Sequence, residues 1–217
     1  AYAKGEGVPK DERLAAEWWK KAADAGYPEA MFNLAACHSK GFGVPKDYKA
    51  AVEWWVKAAE AGHAAAQFNV AALCINGSYL EKSLPRGIGW LKKSAEGGNR
   101  DAQTALAGYY YHGVGVNASK TEAARLWKSA ADAGDLFAQK NLALMYLRGD
   151  GIPADKKAFV RYTLLAAENG DVDSLYNMGV VFETGDGVER DTERASEYYR
   201  RAAAKGHAEA VKRLERK

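Results

Sequence analysis

The 217-residue sequence holds only two cysteines, three methionines, four histidines and five prolines, and these shortages remove whole classes of protein. Two cysteines, Cys37 and Cys74, cannot build the disulfide framework of a small secreted domain. Charges or glycines break every apolar stretch well short of the ~18 residues of a membrane-spanning helix, so no membrane insertion is expected. Charge of one sign is scarce too. Lys and Arg number 31 against 28 Asp and Glu, and the whole net charge of +3 lies in residues 189–217. Basic side chains there suit a helix C-terminus, and no stacking cluster of aromatics and Arg accompanies them, so no nucleic acid is expected. Charged residues at 27% and aromatics at 11% are globular values and exclude disorder. The chain opens at Ala1 without a charged, apolar, small-residue leader, so a soluble chain of unassigned compartment is expected.

Alanine and glycine are abundant, and the glycines are periodic. Gly26, Gly62, Gly98, Gly134, Gly170 and Gly206 fall every 36 residues, as do Gly5, Gly41, Gly77, Gly113, Gly149 and Gly185. A third column, Gly7, Gly43, Gly115, Gly151 and Gly187, is interrupted only at Tyr79. Asp11, Asp47, Ser83, Ser119, Asp155 and Asp191 each stand fifteen residues before a glycine of the first column. Their short oxygen-bearing side chains suit helix N-caps, and a glycine can take the left-handed conformation that ends a helix. Each repeat therefore contains one helix, B, typified by residues 47–61. A shorter amphipathic helix, A, typified by residues 29–40, lies between that terminating glycine and the next Gly-x-Gly.

Helix A is expected to bury Ala30, Leu34 and their equivalents. Helix B is expected to bury its paired alanines together with Trp18, Trp54, Trp90, Leu126, Tyr162 and Tyr198. A helix pair with one apolar face cannot cover itself, so residues 1–217 are expected to stack as a single all-α solenoid of about six 36-residue units. Two irregularities stand out. The third repeat, about 63–98, carries Tyr79 in place of a loop glycine, and Pro85, Gly87 and Gly89 in the first turns of its helix B, which predicts a helix that starts late or frays. At the other end, Ala1–Lys4 covers only the tail of a helix A. The Trp18–Trp19 face of the first B helix is then uncovered and is expected to self-associate or to meet an upstream repeat.

The segments AAEAGHAAAQFNVA (58–71) and GFGVPKDYKAAVEWWVKAAEAG (41–62) resemble the Sel-1-like repeat family, relatives of the tetratricopeptide repeats. The resemblance covers essentially the whole chain, with Gly-x-Gly-Val-Pro-x-Asp, Trp-Trp/Tyr, Lys-Ala-Ala and Ala-x-x-x-Leu recurring in phase. It implies a right-handed α-superhelix, with A helices on the inner face, that serves as a scaffold or adaptor for protein complexes. It implies no catalysis and no cofactor. A secreted branch of the family carries paired cysteines in each repeat, which this chain lacks.

The residues themselves offer no catalytic constellation. His63 and His207 share a helix-start column, His38 stands in an aromatic core column, and His112 ends a helix A without a nucleophile in a local motif. Cys37 and Cys74 fall in core-side columns on neighbouring A helices, ~8–10 Å apart, and are expected to pack as small hydrophobes without binding a metal or forming a bridge. The feature carrying function is the helix-A surface away from the core. Asn33, Asn69, Asn141 and Asn177 recur in phase there, flanked by Phe32, Phe68 and Tyr176 and, a turn or two on, by Lys40 and Arg148. An amide ladder with aromatic neighbours can bind the backbone of a protein or peptide segment along a groove. Two other readings remain open: the amides hold repeats in register, or the solenoid is a spacer within a larger protein with no groove ligand.

Overall fold

The computed structural model describes Gly7 and residues 9–215; about 73% of these are helical, and no strand occurs among them. Among the described residues the B helices are α1 (Glu12–Asp24), α3 (Tyr48–Glu60), α5 (Leu84–Glu96), α7 (Lys120–Asp132), α9 (Lys156–Glu168) and α11 (Thr192–Ala204). The A helices alternate with them: α2 (Pro28–Lys40), α4 (Ala64–Asn76), α6 (Arg100–His112), α8 (Leu136–Arg148), α10 (Val172–Thr184) and α12 (Ala208–Glu215). The chain divides into two compact units, Ala1–Gln103 and Thr104–Lys217. In the first, α2 packs on α1 and α3, and α4 on α3 and α5; in the second, α8 packs on α7 and α9, and α10 on α9 and α11. Each unit is thus a stack of antiparallel helix pairs, an α/α solenoid.

The helix ends follow from the expected caps. Asp11 accepts from Leu14 N at 2.9 Å, Asp47 from Ala50 N at 3.0 Å and Asp191 from Arg194 N at 2.9 Å, so each B helix begins where its Asp or Ser stands. The A helices carry caps of their own, with Asp135 accepting from Ala138 N at 2.7 Å and Asp171 from Ser174 N at 2.8 Å. They end on left-handed glycines such as Gly41 and Gly149. Small residues at the crossings, Ala30, Ala66, Ala102, Ala138 and Ala210, are all buried, as are Leu34, Val70, Leu106, Leu142 and Met178 above them.

Three expectations need correcting or limiting. The core of helix B runs one residue later than expected in the first three repeats. Trp18 is 55% exposed and Trp54 and Trp90 are half-buried, whereas Trp55 and Leu91 are buried and Trp19 is half-buried. The outer tryptophans lie at the edge of the stack under a lysine three residues on, with Lys21, Lys57 and Lys93 4.6, 4.1 and 4.6 Å from the ring centres. Leu126, Tyr162 and Tyr198, smaller than Trp, are buried as expected.

The third repeat also departs from expectation: α5 is neither late nor frayed, running thirteen residues like its counterparts from an intact Ser83 cap. Pro85 occupies the first turn, where its missing N–H costs nothing. Buried Gly87 lets α4 approach, since a Cβ there would meet Ile75 Cγ1 at 2.4 Å. The strain sits in the loop instead, where Tyr79 holds φ +61° and its ring lies 4.8 Å from that of Tyr48. The tail of the first helix A, at Ala1–Lys4, lies outside the described residues.

Candidate functional site

The predicted aromatics of helix A link successive helix A segments. In the first unit Phe32 stacks on His63, with ring centres 4.5 Å apart and planes at 17°. His63 Nδ1 caps α4 by accepting from Ala66 N at 3.2 Å, which leaves the proton on Nε2 to reach Glu29 Oε2 at 2.9 Å. Hydrogen bonds from His63 and Asn33 hold the Glu29 carboxyl below its usual range. The second unit repeats the device, with Tyr176 stacked on His207 at 4.4 Å and His207 capping α12. In the same column Lys140 substitutes an ion pair, reaching Asp171 at 2.6 Å. Burial raises the Asp171 carboxyl, but the bonds from Lys140 and Ser174 outweigh it and hold the group below its ordinary value.

Two of the four amides bond within their own helix. Asn33 Nδ2 donates to the Glu29 carbonyl at 2.8 Å, and Asn141 Nδ2 to the Phe137 carbonyl at 2.8 Å. Asn33, Asn69 and Asn141 are half-buried and Asn177 is exposed. Phe68 is half-buried, and Lys40 is exposed with its ammonium 5.7 Å from the Phe42 ring. Burial pushes both thiols, Cys37 and Cys74, above their usual range, as befits packed side chains rather than nucleophiles.

Two of the predicted residues meet in a cleft. In the second unit α6 and α8 enclose about 200 Å3 lined by Gly108, Tyr111, His112, Trp127, Phe137, Asn141, Leu144, Met145, Arg148 and Asp150. The rings form a chain: Tyr111 to Trp127 at 5.4 Å and Trp127 to Phe137 at 6.5 Å. Asp150 accepts from Tyr111 Oη at 2.7 Å and from Lys120 Nζ at 2.6 Å, and these bonds hold its carboxyl below the ordinary range. Tyr176 and Asn177 are not among the lining. Among the residues that reading the sequence by shared columns missed are Gly108, Tyr111, Trp127, Phe137, Leu144, Met145 and Asp150. For two of them the signal was a departure from the column: Phe137 stands where other repeats have Glu29, Asp101, Asp173 and Glu209, and Gly108 where they have Ala36, Ala72, Leu144 and Val180.

A stack of capped helix pairs recurring every 36 residues defines an α-solenoid repeat protein. The chain belongs to the Sel1 repeat family, whose model matches residues 1–27, 28–63, 64–99, 100–135, 136–171 and 172–207. It is similar to a protective antigen of uropathogenic Escherichia coli strains displaying an SLR fold, at 31% identity and a TM-score of 0.86, over 98% of this chain and 46% of that one. It is also similar to a Sel1 repeat protein from Oxalobacter formigenes, at 33% identity and a TM-score of 0.76, over 94% of this chain and 84% of that one. The chain thus spans less than half the length of the Escherichia coli antigen. No curated protein matches it. Repeat proteins of this family generally act as protein–protein interaction scaffolds. No helix among the described residues is long and apolar enough to cross a membrane.

Proposed function

We propose that this chain is a non-enzymatic interaction module that binds a protein or peptide segment along the exposed surface of its A helices. The observation that carries the reading is the cleft between α6 and α8, where two large apolar side chains, Phe137 and Leu144, stand exposed beside Asn141 and Arg148. An aromatic ring and a leucine beside an amide and an arginine supply the apolar centre and polar rim of an interaction surface. Asn141 uses one N–H on its own helix, which leaves its second N–H and its carbonyl oxygen for the backbone of a bound segment. Asn177 and Tyr176 on α10 extend the surface in the second unit. Phe32, Asn33, Lys40, Phe68 and Asn69 are the corresponding positions on α2 and α4 of the first.

The test begins with a partner retrieved by the full chain and identified by mass spectrometry. Its affinity is then measured for Asn141→Ala and Asn177→Ala, singly and together, alongside thermal stability. Each change is expected to weaken binding by about 1–3 kcal/mol, by leaving a partner group unpaired, and to alter stability by less. Unchanged affinity with a large stability loss would show that the amides only brace their helices.

A further inference from the structure

The geometry points to one occupant for the cleft between α6 and α8: a large apolar side chain of an extended partner segment, with a carboxylate two residues along that segment, on the same face, bound by Arg148. The inference rests on the A-helix reading above and gives it a chemistry. Size comes first. About 200 Å3 is smaller than the ~300–1,000 Å3 of sites that enclose a small-molecule ligand, and suits a single side chain.

The space exists because α6 has a glycine at its mouth. A Cβ added to Gly108 would meet no atom within 4 Å, whereas the preceding and following A helices fill that column with Ala72 and Leu144. Apolar character follows from the walls. Phe137 is 60% exposed in a column that four other repeats make acidic, and Leu144 and Met145 continue the same wall along α8. An acidic side chain at position 137 would face an incoming carboxylate, and the ring removes that repulsion.

Charge identifies the second group. Asp150, the one carboxylate of the lining, already accepts from Lys120 and Tyr111. Arg148 is exposed and close enough to Asp150 to help hold that carboxyl down, but Asp150 is already bonded by Lys120, so the two cations share one carboxylate and one positive charge is left over at the cleft. The planar fork of donors on Arg148 fits a carboxylate through two parallel bonds.

Trp127 supplies the reporter. It is the one tryptophan of residues 104–217, it lines the cleft, and its buried indole N–H, like that of Trp55, has no acceptor. The full chain, labelled with nitrogen-15, is titrated with three capped peptides in a Gly-Ser context, carrying Phe-Ser-Asp, Phe-Ser-Asn or Ala-Ser-Asp at the centre, so that the two probed side chains share one face of an extended backbone. The Trp127 indole signal is assigned from Trp127→Phe. The Phe-Ser-Asp peptide is expected to shift that signal, with affinity about tenfold weaker for each of the others and for Arg148→Gln. Gly108→Leu, which installs the residue of the following A helix, should abolish the shift, with melting temperature checked alongside, and the smaller Gly108→Ala should weaken it.

Equal affinity for the three peptides, or full binding by a folded Gly108→Leu, overturns the inference. The two readings fail differently. If no peptide moves Trp127 while a native partner loses affinity on Asn141→Ala, the proposed occupant is wrong and the A-helix surface stands. If the native partner ignores both Asn changes, the surface itself is wrong.

Discussion

Trp55→Ala is expected to cost about 3–5 kcal/mol of stability in urea denaturation, and Trp18→Ala less than about 1 kcal/mol, although the two residues belong to matching Trp-Trp doublets. Trp55 is buried among Ala35, Val52, Ala59 and Cys74 in the core of the first unit, so removing its ring leaves a cavity that flanking helices cannot close. Trp18 is the first member of its doublet and more than half exposed, with Lys21 on its face. Its truncation removes a cation–π contact and some surface coverage, not core. Equal losses at the two positions would mean that the first residue of the doublet carries the packing after all.

Gly43→Ala is expected to destabilise by about 2 kcal/mol or more, and Gly62→Ala by only about 1–2 kcal/mol. Both glycines hold positive φ, +69° and +91°, so an alanine is strained at either. At Gly62 nothing lies within 4 Å of the added Cβ, and the backbone term is the whole cost. At Gly43 the Cβ would stand 2.0 Å from the Glu12 carbonyl oxygen, because the loop seats directly on the first turn of α1. Backbone atoms cannot swing aside as a side chain can, so the loop or α1 must move. Thermal melts of the two variants side by side separate the terms. A smaller loss at Gly43 than at Gly62 would contradict the close seating.

These two comparisons mark how far the sequence could be read. Helix ends were legible because caps and glycines act locally: Asp47, Gly41 and Gly62 do the same work in any neighbourhood. The small and large columns of helix A were legible because Ala30 and Leu34 sit four residues apart on one face. In the first three repeats the helix-B core lies one residue beyond the expected position, because both members of a pair such as Trp18–Trp19 are apolar and adjacent. Only tertiary packing decides which ring turns inward, and the lysine three residues after the outer ring marks its edge position.

Likewise, α5 looked weak because helix propensity counts Gly87 as a loss, whereas the approach of α4 makes its missing side chain a packing requirement. At the site, Asn141 and Arg148 were legible as members of polar columns. Reading columns for what repeats share hides Gly108 and Phe137, whose role comes from differing. A cleft also depends on which side chains lie opposite one another across α6 and α8, and no single helix encodes that.

Amide hydrogen exchange of the full chain, with and without a saturating partner identified by pull-down, tests the binding surface most directly. In the second unit, binding along the A helices predicts added protection in α8 and α10 and in the C-terminal turns of α6, with α7, α9 and α11 unchanged. Protection confined to α7, α9 and α11 would place the partner on the B helices and contradict the proposed function.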